Sequence, residues 1–320
     1  MFPKAITIAA VGLVLAVAMD SNARAAFPDK DITIIIPTRP GNGFDVYARA
    51  VAQYLPKYLP NTVNIIPKNV TGAGGRKGTT ELYRATPDGY TFGILNVPGI
   101  VIPQLLGEGV GYDISKMTIL ARVAKDKYAL VVPKASPYQS FGSLQKAPHN
   151  VRFISMSPGM TQLVASDVAI SELGIHVDQL TGYRSIQDIL VALIRGDGEA
   201  AVTAVTTTVP FFQTGDIKPL VYFDTTSPYP GVPTAKEIGH PDLALLGLER
   251  IFAAPPNLPD AQREVLEAAL MKTMADPDLI AWGKKTQHEI SALDGQEAKT
   301  VLDRITKFFL RYKQFLGAQQ

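Results

Sequence analysis

The stretch ITIIIPTRPGNGFD, residues 32–45, decides how this chain folds. Its first five residues, Ile32–Ile36, are mostly β-branched and predict a buried strand. The glycine loop Arg39–Asp45 follows and leads into a segment with the apolar spacing of a helix. This order of strand, glycine loop and helix start directs backbone N–H groups and the positive end of a helix dipole at one point, which favours an anion. The apolar face of the predicted helix comprises Val46, Tyr47, Ala50, Val51, Tyr54 and Leu55.

The same pattern occurs a second time from residue 63. Val63–Ile66 predicts another strand, and the loop Thr71–Arg76 (TGAGGR) follows it and leads into a helix-like segment. Glycine lets a ligand approach the main chain closely because it has no Cβ. We name Arg39–Asp45 loop 1 and Thr71–Arg76 loop 2. Together they predict a carboxylate or phosphate site made largely of backbone, although each loop alone fits an ordinary turn equally well.

Neither loop fits a nucleotide-binding fingerprint. A dinucleotide site needs a third glycine after Gly41 and Gly43, and position 46 is Val46. A P-loop needs Gly-Lys-Ser or Gly-Lys-Thr at its end, and neither loop has it. We therefore expect no cofactor.

The N-terminus has the pattern of a secretory signal peptide. Lys4 precedes an apolar run, Ala5–Met19, that is short for a membrane span, and residues 23–25 (ARA) match a cleavage site. A buried N-terminal helix is the alternative. We expect residues 1–25 to be removed by cleavage near Ala25, leaving a soluble periplasmic protein.

Composition excludes several functional classes. The chain has 31 basic and 29 acidic residues and no basic stripe, so we expect no nucleic-acid partner. It has no cysteine, which excludes a cysteine nucleophile and a thiolate metal site. No histidine pair has metal-ligand spacing, and we expect no metal. About 295 residues remain after cleavage, more than one core usually holds, which favours two lobes.

Strand-like and helix-like runs alternate along the chain, which predicts α/β layers with largely parallel sheets. Near the C-terminus, Asp294 and Glu297 have the spacing of a capping box that opens a helix. Further predicted strands are Thr91–Leu95, Tyr128–Val132, Val151–Ile154 and Leu220–Phe223. The apolar stripe of the C-terminal helix comprises Val301, Leu302, Ile305, Phe308, Tyr312 and Phe315.

In this order, the motifs resemble the periplasmic substrate-binding proteins of tripartite tricarboxylate transporters, the Bug-type receptors, across essentially the whole mature chain. That family begins with a strand, a Pro-x-x-Pro-Gly-Gly-x-x-Asp-type loop and a helix, and residues 37–45 (PTRPGNGFD) resemble that loop. The later motifs that match are Gly72–Gly75 with Gly78, the turn Pro87–Thr91, Ser227-Pro228 and Val232–Thr234.

The resemblance implies a type II periplasmic-binding fold, in which crossing strands join two α/β lobes and the ligand lies between them. It places lobe 1 at residues 26–126 and 224–320, and lobe 2 at 127–223. It also implies a receptor that captures a small organic carboxylate for the permease subunits of a membrane transporter. We expect a monomer.

A ligand site follows from the same resemblance. In the family, the glycine loops bind the proximal carboxylate, partly through ordered waters. Lobe 2 contributes a loop at a helix start, which looks like residues 157–161, and a Tyr-Lys/Arg-Gly segment, which looks like Tyr183-Arg184. The predicted ligand-binding residues are Arg39, Gly41, Asn42, Gly43, Asp45, Gly72, Ala73, Gly74, Gly75, Arg76, Ser157, Gly159, Met160, Tyr183 and Thr203.

The chain differs from the family at positions that would contact the distal part of the ligand and so determine specificity. Ala192 and Thr203 stand where acidic residues are usual, and Arg250 lies near a usual aromatic position. Arg39 replaces a small residue and Arg76 an asparagine. A desolvated carboxylate needs paired charge or several donors. The departures therefore suggest a ligand with more negative charge or different distal chemistry, and the sequence leaves open which arginines face the cleft.

Binding is favoured over catalysis because no catalytic constellation accompanies the loops. Ser143–Lys146 matches a Ser-x-x-Lys pattern, but the elements that accompany it in penicillin-recognising enzymes are missing from the sequence. Three hypotheses remain: a transporter receptor, a sensory receptor of the same fold that feeds a two-component system, and a periplasmic enzyme with a non-standard site.

Overall fold

The computed structural model describes residues 27–158 and 160–317, where ten strands and eleven helices alternate. The predicted signal peptide, residues 1–25, and Gly159 lie outside the described residues. The strands are β1 (Ile32–Ile36), β2 (Ile65–Asn69), β3 (Thr91–Val97), β4 (Thr118–Pro133), β5 (Val151–Met156), β6 (Val177–Tyr183), β7 (Ala201–Ala204), β8 (Ile217–Tyr222), β9 (Gly247–Ala254) and β10 (Leu293–Asp294). The helices are α1 (Gly43–Tyr54), α2 (Arg76–Tyr83), α3 (Val101–Leu106), α4 (Phe141–Gln145), α5 (Thr161–Leu173), α6 (Ile186–Arg195), α7 (Val205–Thr214), α8 (Asp260–Met274), α9 (Pro277–Thr286), α10 (Gly295–Arg311) and α11 (Lys313–Gly317).

The two strands that precede the glycine loops form close to where the sequence predicts them. β1 coincides with the predicted run, and four of its five residues are buried. β2 begins at Ile65, two residues after the predicted start at Val63. It contains Pro67, which an edge strand tolerates because the missing N–H would face no partner strand.

The main sheet is mixed rather than parallel. Its eight strands run in the order β10-β4-β9-β3-β1-β2, with β7 and β8 also paired to β4. β1 is parallel to both β2 and β3, and β5 and β6 form a separate parallel pair. β9, however, is antiparallel to both β3 and β4, and β4 is antiparallel to β7, β8 and β10. The expectation of largely parallel sheets is therefore wrong, because β9 enters the sheet in the direction opposite to both of its neighbours.

The 16-residue strand β4 is shared by two groups of strands. Thr118–Lys127 pairs with β9, whereas Tyr128–Pro133 pairs with β7 and β8. At the change, the Phe223 N–H donates a hydrogen bond to the Tyr128 carbonyl oxygen at 2.9 Å. We propose that the lobes divide here, near Lys127 and Phe223, at the boundaries that the resemblance implies.

The predicted capping box opens α10. An Asp294 carboxylate oxygen accepts a hydrogen bond from the Glu297 N–H at 2.8 Å, and the Glu297 side chain accepts one from the Asp294 N–H at 3.3 Å. The predicted stripe is buried or partly buried except at its end, since Phe315 is 36% exposed. Phe315 lies in α11, beyond the end of α10, so it no longer follows the helical spacing that buries the others.

Gly78 brings the two glycine loops together. A Cβ at this position in α2 would lie 2.7 Å from the Val70 carbonyl oxygen and 2.9 Å from the Pro37 Cα. Both atoms are backbone and cannot move freely. Helix α2 therefore packs directly on the segments that follow β1 and β2, which only glycine permits.

We expect Gly78→Ala to lower the free energy of unfolding by about 1–3 kcal/mol, because the added methyl group overpacks this contact. Denaturant titration measures the difference. Gly142→Ala is the matched control, since Gly142 lies in α4 and an added Cβ would meet nothing within 4 Å. Equal stability of the two variants would argue against the contact.

Candidate functional site

The carboxyl ends of β2, β1 and β3 meet at one edge of the main sheet because these strands are parallel neighbours. Loop 1 follows β1, loop 2 follows β2, and residues 96–99 lie at the end of β3. Helix α1 begins at Gly43 and α2 at Arg76, so two helix N-termini lie at this edge. Ligands of open α/β sheets usually bind outside the carboxyl ends of the strands. We call these segments the strand-end site.

Loop 1 is held in shape by its own side chains. Asn42 Oδ1 accepts a hydrogen bond from the main-chain N–H two residues on, at 2.9 Å, and caps α1. The buried Asp45 carboxylate accepts hydrogen bonds from the Gly41 N–H (2.8 Å), Arg49 Nε (2.9 Å) and Asn69 Nδ2 (2.8 Å). Burial opposes the ionisation of Asp45, but these hydrogen bonds outweigh it and hold its pKa below the usual value. Asn42 and Asp45, both predicted ligand residues, therefore order the loop itself.

Loop 2 presents backbone N–H groups. Gly72, Ala73, Gly74 and Gly75 have φ angles of 139°, 47°, 65° and 99°, which favour glycine at most of these positions. Among the described residues, nothing accepts a hydrogen bond from the N–H of Ala73 or Gly74, nor from that of Gly43 at the start of α1. Such N–H groups at a helix start are suited to an anion.

The arginines of the two loops are placed differently. The Arg76 guanidinium already has partners within the protein. Its Nε donates to the Ala73 carbonyl oxygen at 3.0 Å, and its Nη1 pairs with Glu108. Arg39 is exposed, and its guanidinium forms no hydrogen bond or ion pair within residues 27–158 and 160–317. The Arg76 guanidinium is thus held by loop 2 itself and by Glu108, whereas no contact holds the Arg39 guanidinium over the strand-end site.

Unpartnered polar atoms collect at this edge. Of the four buried side-chain atoms that lack a hydrogen-bond partner in the described part of the chain, three are Thr38 Oγ1, Asn96 Oδ1 and Arg250 Nε. Leaving a buried polar atom unpaired costs about 1–3 kcal/mol, so such atoms commonly mark places that take up water or a ligand. Thr38 follows β1, Asn96 lies near the end of β3, and Arg250 is its partner in β9. The sequence analysis missed Thr38 and Asn96, although a polar residue near the end of an apolar strand was a usable signal.

Arg250 is the most buried arginine at this edge, with a side chain that is 7% exposed. Its guanidinium carbon lies 5.0 Å from the centroid of the Phe44 ring and 4.8 Å from that of Tyr47. A Cβ on Gly43 would lie 3.1 Å from Arg250 Nη2, so the guanidinium contacts the first turn of α1. Burial raises the pKa of Tyr47 to about 12, against the opposing effect of Arg250, so Tyr47 is a neutral ring beside the cation.

The segment around the start of α5 faces the strand-end site. A Cβ on Gly99 would lie 2.8 Å from Thr161 Oγ1, so the end of β3 approaches the first residue of α5. The Ser157 N–H donates to the Tyr183 carbonyl oxygen at 2.9 Å, which places these two predicted ligand residues side by side. Met160 is 41% exposed and lies next to them in sequence.

Thr203 and Asp126 both accept hydrogen bonds from threonines near the start of α7. Thr203 is fully buried and accepts a hydrogen bond from Thr208 Oγ1 at 2.9 Å, so it has no free surface in this conformation. Its assignment as a ligand contact stays a prediction. Asp126, which the sequence analysis missed, accepts a hydrogen bond from Thr206 Oγ1 at 2.7 Å and lies 3.5 Å from Arg250 Nη2.

Metal-ligand clusters and membrane-spanning helices are both absent from residues 27–158 and 160–317. Within these ranges, no group of three or more histidine, aspartate or glutamate side chains is placed to hold a metal ion. No helix among the described residues is both long and apolar enough to cross a membrane.

Comparison with known proteins identifies the family. The family described as "Tripartite tricarboxylate transporter family receptor", TctC, matches residues 47–308. This chain belongs to that family. A UPF0065 protein from the tcbD-tcbE intergenic region of Pseudomonas sp. strain P51 is 26% identical, over 92% of this chain and 89% of the relative. Protein BugT of Bordetella pertussis is 24% identical, over 74% of this chain and 73% of the relative.

Solved structures share the fold. A TctC solute-binding protein from Polaromonas has a TM-score of 0.77 and 22% identity, covering 89% of this chain and 98% of that one. The periplasmic binding protein BugD has a TM-score of 0.70 and 18% identity, covering 91% and 99% of the two chains. The predicted fold, a two-lobed α/β type II periplasmic-binding fold, is confirmed. The family and these neighbours are solute-binding proteins.

We expect Asp45→Asn to lower the free energy of unfolding by about 1–2 kcal/mol at neutral pH, because it removes charge-assisted hydrogen bonds. The pKa of Asp45 is lowered in the folded protein, so its stabilising effect is present above the ordinary value of 3.8 and is lost as the pH falls through the folded-state value. The difference between wild type and variant should therefore shrink towards acid pH.

Urea titrations at neutral pH and below the ordinary carboxyl pKa test this pH dependence. Asp303→Asn is the control, because Asp303 forms an exposed i,i+4 pair with Lys299 that should contribute less than about 0.5 kcal/mol. A difference for Asp45→Asn that stays constant or grows towards acid pH would mean that the carboxylate does not act as described.

Proposed function

We propose that this chain is an exported periplasmic receptor that binds a small organic carboxylate between its lobes and delivers it to the permease subunits of a tripartite transporter. One observation carries the proposal. The unpartnered N–H groups of Gly43, Ala73 and Gly74 lie at the strand-end site with the buried cation of Arg250. Cleavage near Ala25 would release the receptor, which would act as a monomer.

A carboxylate fits the donors at this edge. Its two oxygens accept several hydrogen bonds, and both backbone N–H groups and a guanidinium are suitable donors. The N-termini of α1 and α2 add partial positive charge. Among the structural neighbours, MatC from Rhodopseudomonas palustris was solved with malate (TM-score 0.67, 20% identity) and Rpa4515 from the same organism with adipate (TM-score 0.68, 18% identity).

The two lobes have different roles in this proposal. Loops 1 and 2 hold the carboxylate through their main-chain N–H groups, and Asn42 and Asp45 keep loop 1 in shape. Ser157, Gly159, Met160 and Tyr183 contact the rest of the ligand from lobe 2. A ligand that touches both lobes binds the closed form better and shifts the population towards it.

A sensory receptor of the same fold is the alternative, and an enzyme is less well supported because the family consists of binding proteins. Genes for permease subunits beside this one would support transport, whereas genes of a two-component system would support sensing. Conversion of a bound ligand into product would show an enzyme.

We expect at least one organic acid in a thermal-denaturation screen to stabilise the protein. A ligand at 100 times its Kd adds about 2.7 kcal/mol to the free energy of unfolding. The primary amide of that acid is the control ligand, and it should give little or no shift because it lacks the charge. A screen in which no acid stabilises the protein, or in which the amide equals the acid, would contradict carboxylate binding.

We expect Arg39→Ala to weaken binding of that acid less than about fivefold, which corresponds to less than about 1 kcal/mol. The reason is that Arg39 is exposed and no contact holds it over the strand-end site. Isothermal titration calorimetry measures the change. A loss of more than about 30-fold would instead be that of a desolvated charge pair and would place the guanidinium on the ligand.

A further inference from the structure

Arg250 lacks the partners that a buried cation usually has. A guanidinium carries five N–H donors, yet no described residue accepts a hydrogen bond from this one. Asp126 is the only acidic residue of the described chain within ion-pair distance of it, although Glu249 also interacts with it electrostatically. The separation of 3.5 Å between Arg250 Nη2 and Asp126 Oδ2 is longer than the roughly 2.7–2.9 Å of a charge-assisted hydrogen bond.

The hydrogen bonds of Asp126 are directed elsewhere. Asp126 Oδ2 accepts one from Thr206 Oγ1 at 2.7 Å, and Oδ1 accepts a longer one from the Thr206 N–H at 3.4 Å. Thr206 lies in the first turn of α7, so Asp126 is committed to that helix. It balances the charge of Arg250 without satisfying its donors.

The position of Arg250 beside α1 is also unfavourable without an anion. Its Nη2 lies against Gly43, the first residue of α1, where the helix dipole is positive. The rings of Phe44 and Tyr47 offset part of this cost through cation–π contact. An anion that contacts both the guanidinium and the first turn of α1 would interact favourably with both positive groups.

Arg122 in the neighbouring strand β4 shows what a structural arginine looks like in this protein. Its side chain is 13% exposed, its Nε donates to the Ser291 carbonyl oxygen at 2.9 Å, and its Nη1 pairs with Glu249 at 3.2 Å. Arg122 and Arg250 are therefore similarly buried, but only Arg250 keeps its donors free.

We propose that Arg250 is the residue that selects the charge of the ligand. Its guanidinium donates hydrogen bonds to the ligand carboxylate at the strand-end site, and Asp126 is its counter-ion in the unliganded protein. This assignment rests on the proposed function. The affinity for the ligand then depends on a buried positive charge as well as on the N–H groups of the glycine loops.

The test uses the full-length mature receptor and the acid that stabilises it most in the screen. Arg250→Met should weaken binding by about 30-fold or more, as expected when one partner of a desolvated charge pair is removed. Arg122→Met is the matched control and should change the Kd less than about fivefold, since it removes a similarly buried arginine outside the site. Wild-type affinity in a folded Arg250→Met variant would overturn the assignment.

A second pair of variants separates a loss of binding from unfolding. Arg250→Met can cause unfolding because it leaves Asp126 buried without a counter-ion. Asp126→Asn keeps an acceptor for Thr206 and frees the guanidinium, so it should bind the acid at least as tightly as wild type. The double variant Asp126→Asn/Arg250→Met is neutral at both positions and should bind about 30-fold or more weakly than Asp126→Asn. Equal affinities of these two variants, or an Asp126→Asn variant as weak as Arg250→Met, would overturn the proposal.

Failure of the proposed function gives a different result. If the wild-type receptor binds no acid, carboxylate binding itself is wrong. If the wild type binds an acid but not its amide, and the arginine variants bind the acid as well as their parents do, the glycine loops hold the carboxylate without Arg250.

Discussion

The parallel pairing of β1 with both β2 and β3 is the constraint on which the strand-end site depends. Parallel strands end at the same edge of a sheet, so segments far apart in the sequence come together there. Gly78 then lets α2 rest on backbone atoms of both loop regions. Both faces of β1 are buried, with Ile35 in one core and Ile32, Ile34 and Ile36 in another, so a slip of one residue in its register would exchange the residues that the two cores hold.

Strand β4 connects this edge to the second group of strands. Asp126 and Lys127 are consecutive, so their side chains point to opposite faces of the strand. Asp126 reaches α7 and approaches Arg250, whereas Lys127 pairs with Asp224, just after β8, at 2.9 Å. Both faces of β4 thus carry charged contacts between segments on either side of the proposed lobe boundary. Any change in the angle between the lobes must act on these contacts.

Local signals in the sequence predicted the local parts of the site. A β-branched run followed by glycines predicted β1 and loop 1, and the spacing of Asp294 and Glu297 predicted the start of α10. Asn96 and Arg250 meet only because β9 pairs with β3 in a direction that no local pattern encodes. For the same reason the sequence could not separate Arg39, which is exposed, from Arg250, which is buried beside α1.

The buried groups at this edge also set a relation between stability and binding. An unpartnered buried polar atom costs about 1–3 kcal/mol, and Thr38, Asn96 and Arg250 each contribute one. The large apolar core of the molecule tolerates this cost, since fully burying one leucine or phenylalanine side chain stabilises the fold by about 1.5–3 kcal/mol. A ligand that supplies the missing partners removes part of the cost without moving the core.

Arg250 lies between α1 and Asp126, and Asp126 is bonded to α7. The free energy gained when a ligand pairs with Arg250 therefore arises where segments from both sides of the proposed boundary meet. Thr38, Asn96 and Arg250 all lie in the proposed lobe 1, so binding there acts on lobe 2 through the hydrogen bond from Thr206 to Asp126.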